Sequence, residues 1–231
     1  MDYQRLRLPN ATTAADPRVH AYVGAGSASR IAKRAFDVAA SLAAIVVLSP
    51  LLLLIALLVR LESPGPALFR QERLGRDLRP FWMYKFRSMH HEAGDSLHRE
   101  AVKRTAESKR REIGTFKSLD DPRVTRVGRF IRAWNLDELP NLINIIRGDM
   151  SVVGPRPALD YELPYYKDWF YKRFAVRPGL TGLWQVKRAD AEDFDEMIRM
   201  DVEYVQAMSF WTDLWLVALT IPSIIREKGA F

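Results

Sequence analysis

The chain has 231 residues, enough for one domain with an appendage or for two small domains. Its 48% apolar content fills a core and excludes wholesale disorder, and the absence of cysteine excludes disulfides, thiolate catalysis and thiolate zinc sites. Lys and Arg exceed Asp and Glu by 35 to 28, and the net charge of +7 calls for an anionic partner: nucleic acid, a phosphorylated ligand or an anionic membrane surface.

Residues 1–30 are polar, with scattered Pro, Gly, Ala, Ser and Thr, and are expected to form a mobile tail. "GAGSAS" from Gly24 has the look of a dinucleotide-binding loop, but no strand precedes it, so the confirming context is missing. From Val38 to Val59 the chain then runs 22 residues without a charge. At ~1.5 Å per residue this is roughly 33 Å of helix, about one hydrocarbon thickness. The run is too long, and starts too deep, for a signal peptide. Ser49-Pro50 falls just past its middle, where proline removes a donor and the Ser49 hydroxyl is placed to satisfy the carbonyl left over. Arg30, Lys33 and Arg34 precede the run, and Arg60, Arg70, Arg73 and Arg76 follow it. Both flanks therefore satisfy the positive-inside rule, as in a re-entrant hairpin; a straight, proline-kinked span is the competing reading.

"ALFRQERLG" and "PFWMYKFRSM" read as two short strands, or a strand and a loop, after an "ESPGP" turn at Glu62–Pro66. Glu92 to Lys117 is strongly charged and reads as a solvated helix with loops. His90, His91, Glu92 and His98 have no recognised metal-ligand spacing and read as part of a solvated loop. "DPRVTRVGRFIR" carries Arg123, Arg126, Arg129 and Arg132 at three-residue spacing, as a basic helix on anionic lipid or as an ordinary solvated face. No helix-turn-helix, zinc-finger or stacking motif accompanies the arginines, so nucleic acid is not expected as a partner.

"WNLDELPNL" places Asp137 beside Glu138. Asn135 can act as an N-cap with Glu138 completing a capping box, ahead of an apolar stripe of Leu136, Leu139, Ile143 and Ile146 that Gly148 ends. Pro140 conflicts with that helix unless it starts nearer the proline. Asp137, Asn141 and Asn144 share a polar face. Arg156, between two prolines in "GPRP", is a pre-aimed guanidinium, and Lys85 and Arg87 add cations from "KFRSM". A carboxylate among cations suits a phosphorylated substrate if a metal and arginines offset the repulsion. Near the C-terminus, Leu214 to Ile225 is uncharged but too short to span, and Trp211 and Trp215 suit an interfacial helix; a core helix is the alternative.

The ordered set "KRAFDVAASLAAIVVLSPLLL", "SPGPALFRQERLGR", "FWMYKFRSM", "DPRVTRVGRFIR", "LDELPNLINIIRGDMSVVGPRP", "RPGLTGLWQV" and "DVEYV" closely resembles the bacterial sugar transferases, the monotopic polyprenyl-phosphate phosphoglycosyl transferases, from residue 31 to about 225. The short form, without an additional multi-helix membrane domain, is the nearer likeness. The resemblance implies a helix-dominated, membrane-associated α/β fold: a re-entrant helix-break-helix at 31–62, bent at Ser49 and Pro50, then a catalytic domain at 63–231 with amphipathic interfacial helices. It implies transfer of a sugar phosphate from a nucleoside diphosphate sugar, usually UDP-linked, to undecaprenyl phosphate, with release of UMP. It also implies a place at the bacterial inner membrane with the catalytic domain facing the cytoplasm, at the first membrane step of a surface or glycoprotein glycan. By the same resemblance Asp137 is the nucleophile of a covalent aspartyl phosphosugar and the ligand of Mg²⁺, and Glu138 assists the lipid phosphate. Lys85, Arg87 and Arg156 match cationic motif positions that hold phosphates, and Asp201 matches a motif position without a firm role. After "LWQV" the chain departs from the common Asn-Gly-Arg turn, with Lys187-Arg188-Ala189 instead, so Arg188 is the candidate for that arginine's place. The oligomeric state is not readable, a homodimer being one arrangement open to it. From the residues alone, a non-catalytic membrane-surface adaptor that binds anionic lipid is the rival.

Overall fold

The computed structural model describes residues 27–90, 99–100, 103, 121–187 and 194–228. The expected tail up to residue 26, most of the charged stretch from Glu92 to Lys117, His91, Glu92, His98 and Arg188 lie outside the described residues.

The first helix, α1, runs from Ser27 to Glu62. Its 36 residues make it roughly 54 Å long. By length and composition it is able to cross a membrane, with a mean hydropathy of 3.1 over its most apolar 18 residues. Pro50 lies inside this one helix, so the expected break is a proline within continuous helix and not a gap between two. Proline has no amide to offer the carbonyl four residues back. That carbonyl belongs to Val46, and the Ser49 hydroxyl donates to it at 2.8 Å, as expected from the Ser-Pro pair.

Both ends of α1 are bonded to the same folded unit. At the start, Lys33 donates to Val153 O (3.2 Å) and to the Asp213 carboxylate, and Arg34 donates to Ile145 O and Ile146 O at 2.6 and 2.8 Å. One turn on, Asp37 accepts from Ser151 Oγ and Val152 N, each at 3.0 Å. At the far end, Glu62 accepts the amides of Arg126 (2.7 Å) and Val127 (3.0 Å). Between these ties one face of α1 packs on the body, Ala44 and Ile45 near Leu142 and Ile145, then Ile55 and Val59 against Phe86 and Ile131. The other face carries Val46, Val47, Leu53 and Leu61, which are 72–75% exposed.

Strands β1 (Leu68–Leu74) and β2 (Pro80–Phe86) form an antiparallel hairpin in which Leu68 faces Phe86 and Leu74 faces Pro80. The second edge of β2 is closed by a side chain. Asn144 accepts from Tyr84 N (3.1 Å) and donates to Trp82 O (2.7 Å), so its amide takes the place of a strand.

Helix α2 (Arg126–Ala133) is started by Thr125, whose hydroxyl accepts from Gly128 N at 2.9 Å, and by the Glu62 carboxylate. A carboxylate on free amides at a helix start is favourable. Gly128 lies against the Ser88 backbone, and a Cβ there would sit 2.0 Å from Ser88 O. Gly128→Ala is therefore expected to destabilise the protein by about 1–3 kcal/mol through overpacking, read as a lowered melting temperature in detergent.

A 3-10 turn (Leu136–Glu138) leads into α3 (Asn141–Arg147), which Gly148 ends at φ 95°. Strands β3 (Ser151–Val153) and β4 (Gly179–Thr181) pair in parallel, joined by two 3-10 stretches, Asp160–Tyr165 and Asp168–Ala175. Short helix α4 (Leu183–Val186), α5 (Phe194–Ala207) and α6 (Phe210–Lys228) complete the body. Its core is Phe174, Tyr204, Val205 and Leu216, with Phe170, Phe194 and Ile198 in a neighbouring cluster. Helix α6 contributes to the core through Leu216, while Trp211 and Ile221 are 75% and 67% exposed. The result is the expected helix-dominated α/β architecture, with two small sheets among the described residues.

Candidate active site

Between the β1–β2 hairpin, the 3-10 turn, β4–α4 and α6 lies a cavity of about 1080 Å³. Asp137, Glu138, Lys85, Arg87 and Arg156, five residues singled out in the sequence, all line it.

Asp137 reaches the cavity because of how the chain is forced to turn. Pro140 is tolerated at a helix start and not inside it, so α3 begins only at Asn141 with Pro140 as its cap. The capping box expected of Asn135 and Glu138 is therefore not formed. Asn135 is left-handed (φ 54°), makes no side-chain cap bond, and gives its amide to Arg132 O at 3.2 Å. Glu138 instead accepts from Lys85 Nζ at 2.9 Å, across to β2. The acids thus stand in the turn ahead of α3, and Asp137 is 5% exposed.

Arg132, from the last turn of α2, also lines the cavity and was read in the sequence only as part of a basic face. Burial pulls its guanidinium below the ordinary value, and the Asp137 carboxylate is the charge that most opposes this. Its Nε is buried with no hydrogen-bond partner among the described residues. The basic run divides accordingly. Arg126, Arg129 and Phe130 face outward, Arg123 clamps Asp121 at 2.6 Å on the cavity rim, and Arg132 shares the cavity wall with Asp137.

Arg87 lines the cavity, yet its guanidinium is engaged by backbone carbonyls. Its Nη1 donates to Pro64 O (2.9 Å), and its Nη2 to Val59 O (3.2 Å), Ser63 O (2.7 Å) and Ser63 Oγ (3.1 Å). A cation on the last carbonyls of a helix complements its dipole. Arg87 is the C-terminal clamp of α1, holding it to β2.

Arg156 is present in the cavity wall but already ion-paired, with Glu162 Oε1 at 2.9 Å. Burial alone would raise Glu162, yet Arg156, Arg173 and Arg73 outweigh it and hold the carboxyl below its ordinary range. Behind them Arg173 donates to Tyr166 OH (2.6 Å), Arg156 O (2.7 Å) and the Asp201 carboxylate. Asp201 is fully buried and is not among the residues lining the cavity. It is a brace: through Arg173 it fixes the backbone that carries Arg156. Glu162, Tyr166 and Arg173 carried no signal in the sequence beyond their charge or ring.

The family described as Bacterial sugar transferase matches residues 28–227. The exopolysaccharide production protein ExoY of Rhizobium meliloti is 40% identical over 201 residues, 87% of this chain and 88% of that protein. The UDP-glucose:undecaprenyl-phosphate glucose-1-phosphate transferase of Caulobacter vibrioides is 43% identical over 207 residues, 86% and 72% of the two chains. The undecaprenyl-phosphate galactose phosphotransferase of Salmonella typhimurium is 38% identical, over 88% of this chain and 42% of that longer one.

Proposed function

The chain belongs to the bacterial sugar transferase family and is a phosphoglycosyl transferase, and from that premise we propose that it moves a sugar phosphate from a UDP-sugar to undecaprenyl phosphate, releasing UMP. The observation that carries this reading is a nearly buried carboxylate, Asp137, at the wall of a large cavity that also carries the cations Lys85, Arg132 and Arg156. The rival adaptor has no use for such a carboxylate, and it gives way to the family membership.

In the proposed reaction an Asp137 oxygen attacks the phosphorus that bears the sugar. The phosphoanhydride bond breaks, UMP leaves with its electrons, and the sugar phosphate stays on Asp137. An oxygen of the lipid phosphate then attacks the same phosphorus, and the bond to Asp137 breaks. Lys85 and Arg132 stand where negative charge collects on the transferring group. Glu138, tied to Lys85, orients that lysine and is the nearest base for the lipid phosphate, a modest demand because a phosphate monoester is mostly ionised near neutral pH.

Mg²⁺ fits this donor set. Among the described residues no three acidic or histidine side chains come together, and Asp137 would be the protein's share of such a site. Mg²⁺ is commonly held by one or two carboxylates with substrate phosphates and water. When bound it neutralises charge between the carboxylate and the diphosphate.

Re-entry of α1 belongs to the same proposal. A crossing helix would put its two ends on opposite sides of the bilayer, yet Lys33, Arg34 and Asp37 at one end and Glu62 at the other bond to one folded body. A wedge that enters and leaves on the cytoplasmic side of a bacterial inner membrane fits these ties, with the exposed Val46, Val47 and Leu53 in lipid.

The test is UMP release by the purified protein from a panel of UDP-sugars with Mg²⁺, with and without undecaprenyl phosphate. The expected result is one burst of UMP per enzyme without acceptor, for one sugar, and turnover when acceptor is added. No UMP from any donor, or release with no sugar phosphate on the protein, overturns the reading.

A further inference from the structure

Arg73, on β1, was read in the sequence as one of the flanking charges that orient the membrane segment. In the structure it is 7% exposed and lines the active-site cavity. Its Nε and Nη2 donate to Gln71 Oε1 at 3.2 and 2.7 Å, and its Nη1 to Pro157 O at 3.1 Å. Every one of these acceptors is neutral. Buried cations normally lie against a carboxylate, a helix end or a ligand anion.

Three other arginines of the body meet that expectation. Arg173 lies on Asp201, Arg156 on Glu162, and Arg87 on the terminal carbonyls of α1. Arg73, Arg156 and Arg173 are three cations with two carboxylates, Glu162 and Asp201, between them, and Arg73 is the one without an ion pair among the described residues. Burial, and after it the neighbouring Arg156, bring its guanidinium down to about 10 against the opposing pull of Glu162. It is still charged at neutral pH, so the surplus stays at the cavity wall. Gln71 holds it in position: residues two apart on a strand share a face, and one amide oxygen takes both nitrogens.

We propose that Arg73 is an anion-binding residue of the active site, completed by a phosphate oxygen of a substrate. This rests on the reading of the cavity as a phosphoglycosyl transfer site. Phe69 is opposite Lys85 in the hairpin, and Arg73 is on the same face four residues along. That is roughly 13 Å of strand. Lys85 and Arg73 therefore stand on one strip of the cavity wall, the first beside the acids and the second further along it, facing any phosphate that the shared cavity holds. Two substrates bring such a phosphate, the nucleotide that leaves and the lipid that accepts.

The experiment uses the full chain in detergent, as wild type, Arg73→Met and Arg73→Lys, titrated separately with UMP, a short-chain prenyl phosphate and inorganic phosphate. Arg73→Met is expected to keep or raise the ligand-free melting temperature, because it removes an unmatched buried charge. It is also expected to weaken one of the two organic phosphates about 10- to 100-fold, with Arg73→Lys intermediate. Loss confined to UMP assigns Arg73 to the donor, and loss confined to the prenyl phosphate assigns it to the acceptor. A lower melting temperature for Arg73→Met with all three affinities as in wild type makes it a structural residue and overturns the proposal. Wild type that releases no UMP sinks the transferase reading, and the inorganic phosphate titration still decides Arg73.

Discussion

Asp137→Asn is expected to abolish UMP release, by about 10⁴-fold or more, and to leave no sugar phosphate on the protein. The magnitude follows from the role: removing a nucleophile has no substitute in the same site, whereas removing a stabilising cation leaves the reaction slowed. The amide has the shape of the carboxylate, and Asp137 sits in a turn whose geometry is set by Asn135 and Pro140, so folding is expected to be retained. Donor affinity is expected to hold or improve, because the substitution removes an anion from beside a diphosphate. Steady-state UMP release with intact-mass detection of the adduct checks both halves. Turnover equal to wild type would assign the nucleophile elsewhere.

Asp201→Ala is expected to be the most destabilising change at the site, about 3–5 kcal/mol, because it strands the Arg173 guanidinium inside the body. The damage would spread to Arg156, whose carbonyl Arg173 holds. A matching loss is expected from Arg173→Ala, and the double substitution is expected to cost less than the sum. Chemical denaturation of the three variants reads this directly. The pH dependence has a definite sign. Burial pushes the Asp201 carboxyl up to about 6, from 3.8 in the unfolded chain, against the pull of Arg173. A raised folded value favours the folded state while the group is protonated, so this contribution is full below about pH 4 and is lost as pH rises through about 6. Asp201→Asn is expected to remove that slope.

Much of this was legible in the residues because it depends on near neighbours. Pro50 withholds a donor from Val46, and Ser49 is one residue away to supply it. Of the two readings open for the segments after Pro66, two strands or a strand and a loop, the structure takes the first, and their pairing into a hairpin was not read from the sequence. Where neighbours compete, the reading failed: Asn135 and Glu138 have the spacing of a capping box, but Pro140 displaces the start of α3 and frees Glu138 for Lys85. The arginines were harder still. Charge is visible in a sequence, while the group that neutralises it is set by the fold. Arg87 meets carbonyls at Val59 and Ser63, Arg73 meets Pro157, and Arg173 meets Asp201, each across a stretch of chain that no local pattern spans. Arg132 was concealed by its own repeat, since four arginines at even spacing look alike until α2 turns one of them inward.

The ties at both ends of α1 make the apolar helix a poor candidate for trimming. Cutting it away to obtain a water-soluble enzyme would take Lys33 from Asp213, Asp37 from the β3 backbone and Glu62 from the first amides of α2, and would uncover Phe86 and Ile131. The greasy segment is at once ballast and keel, so a solubilised form has to be sought by repainting its outward residues, such as Val46, Val47 and Leu53, with the inward ones left alone.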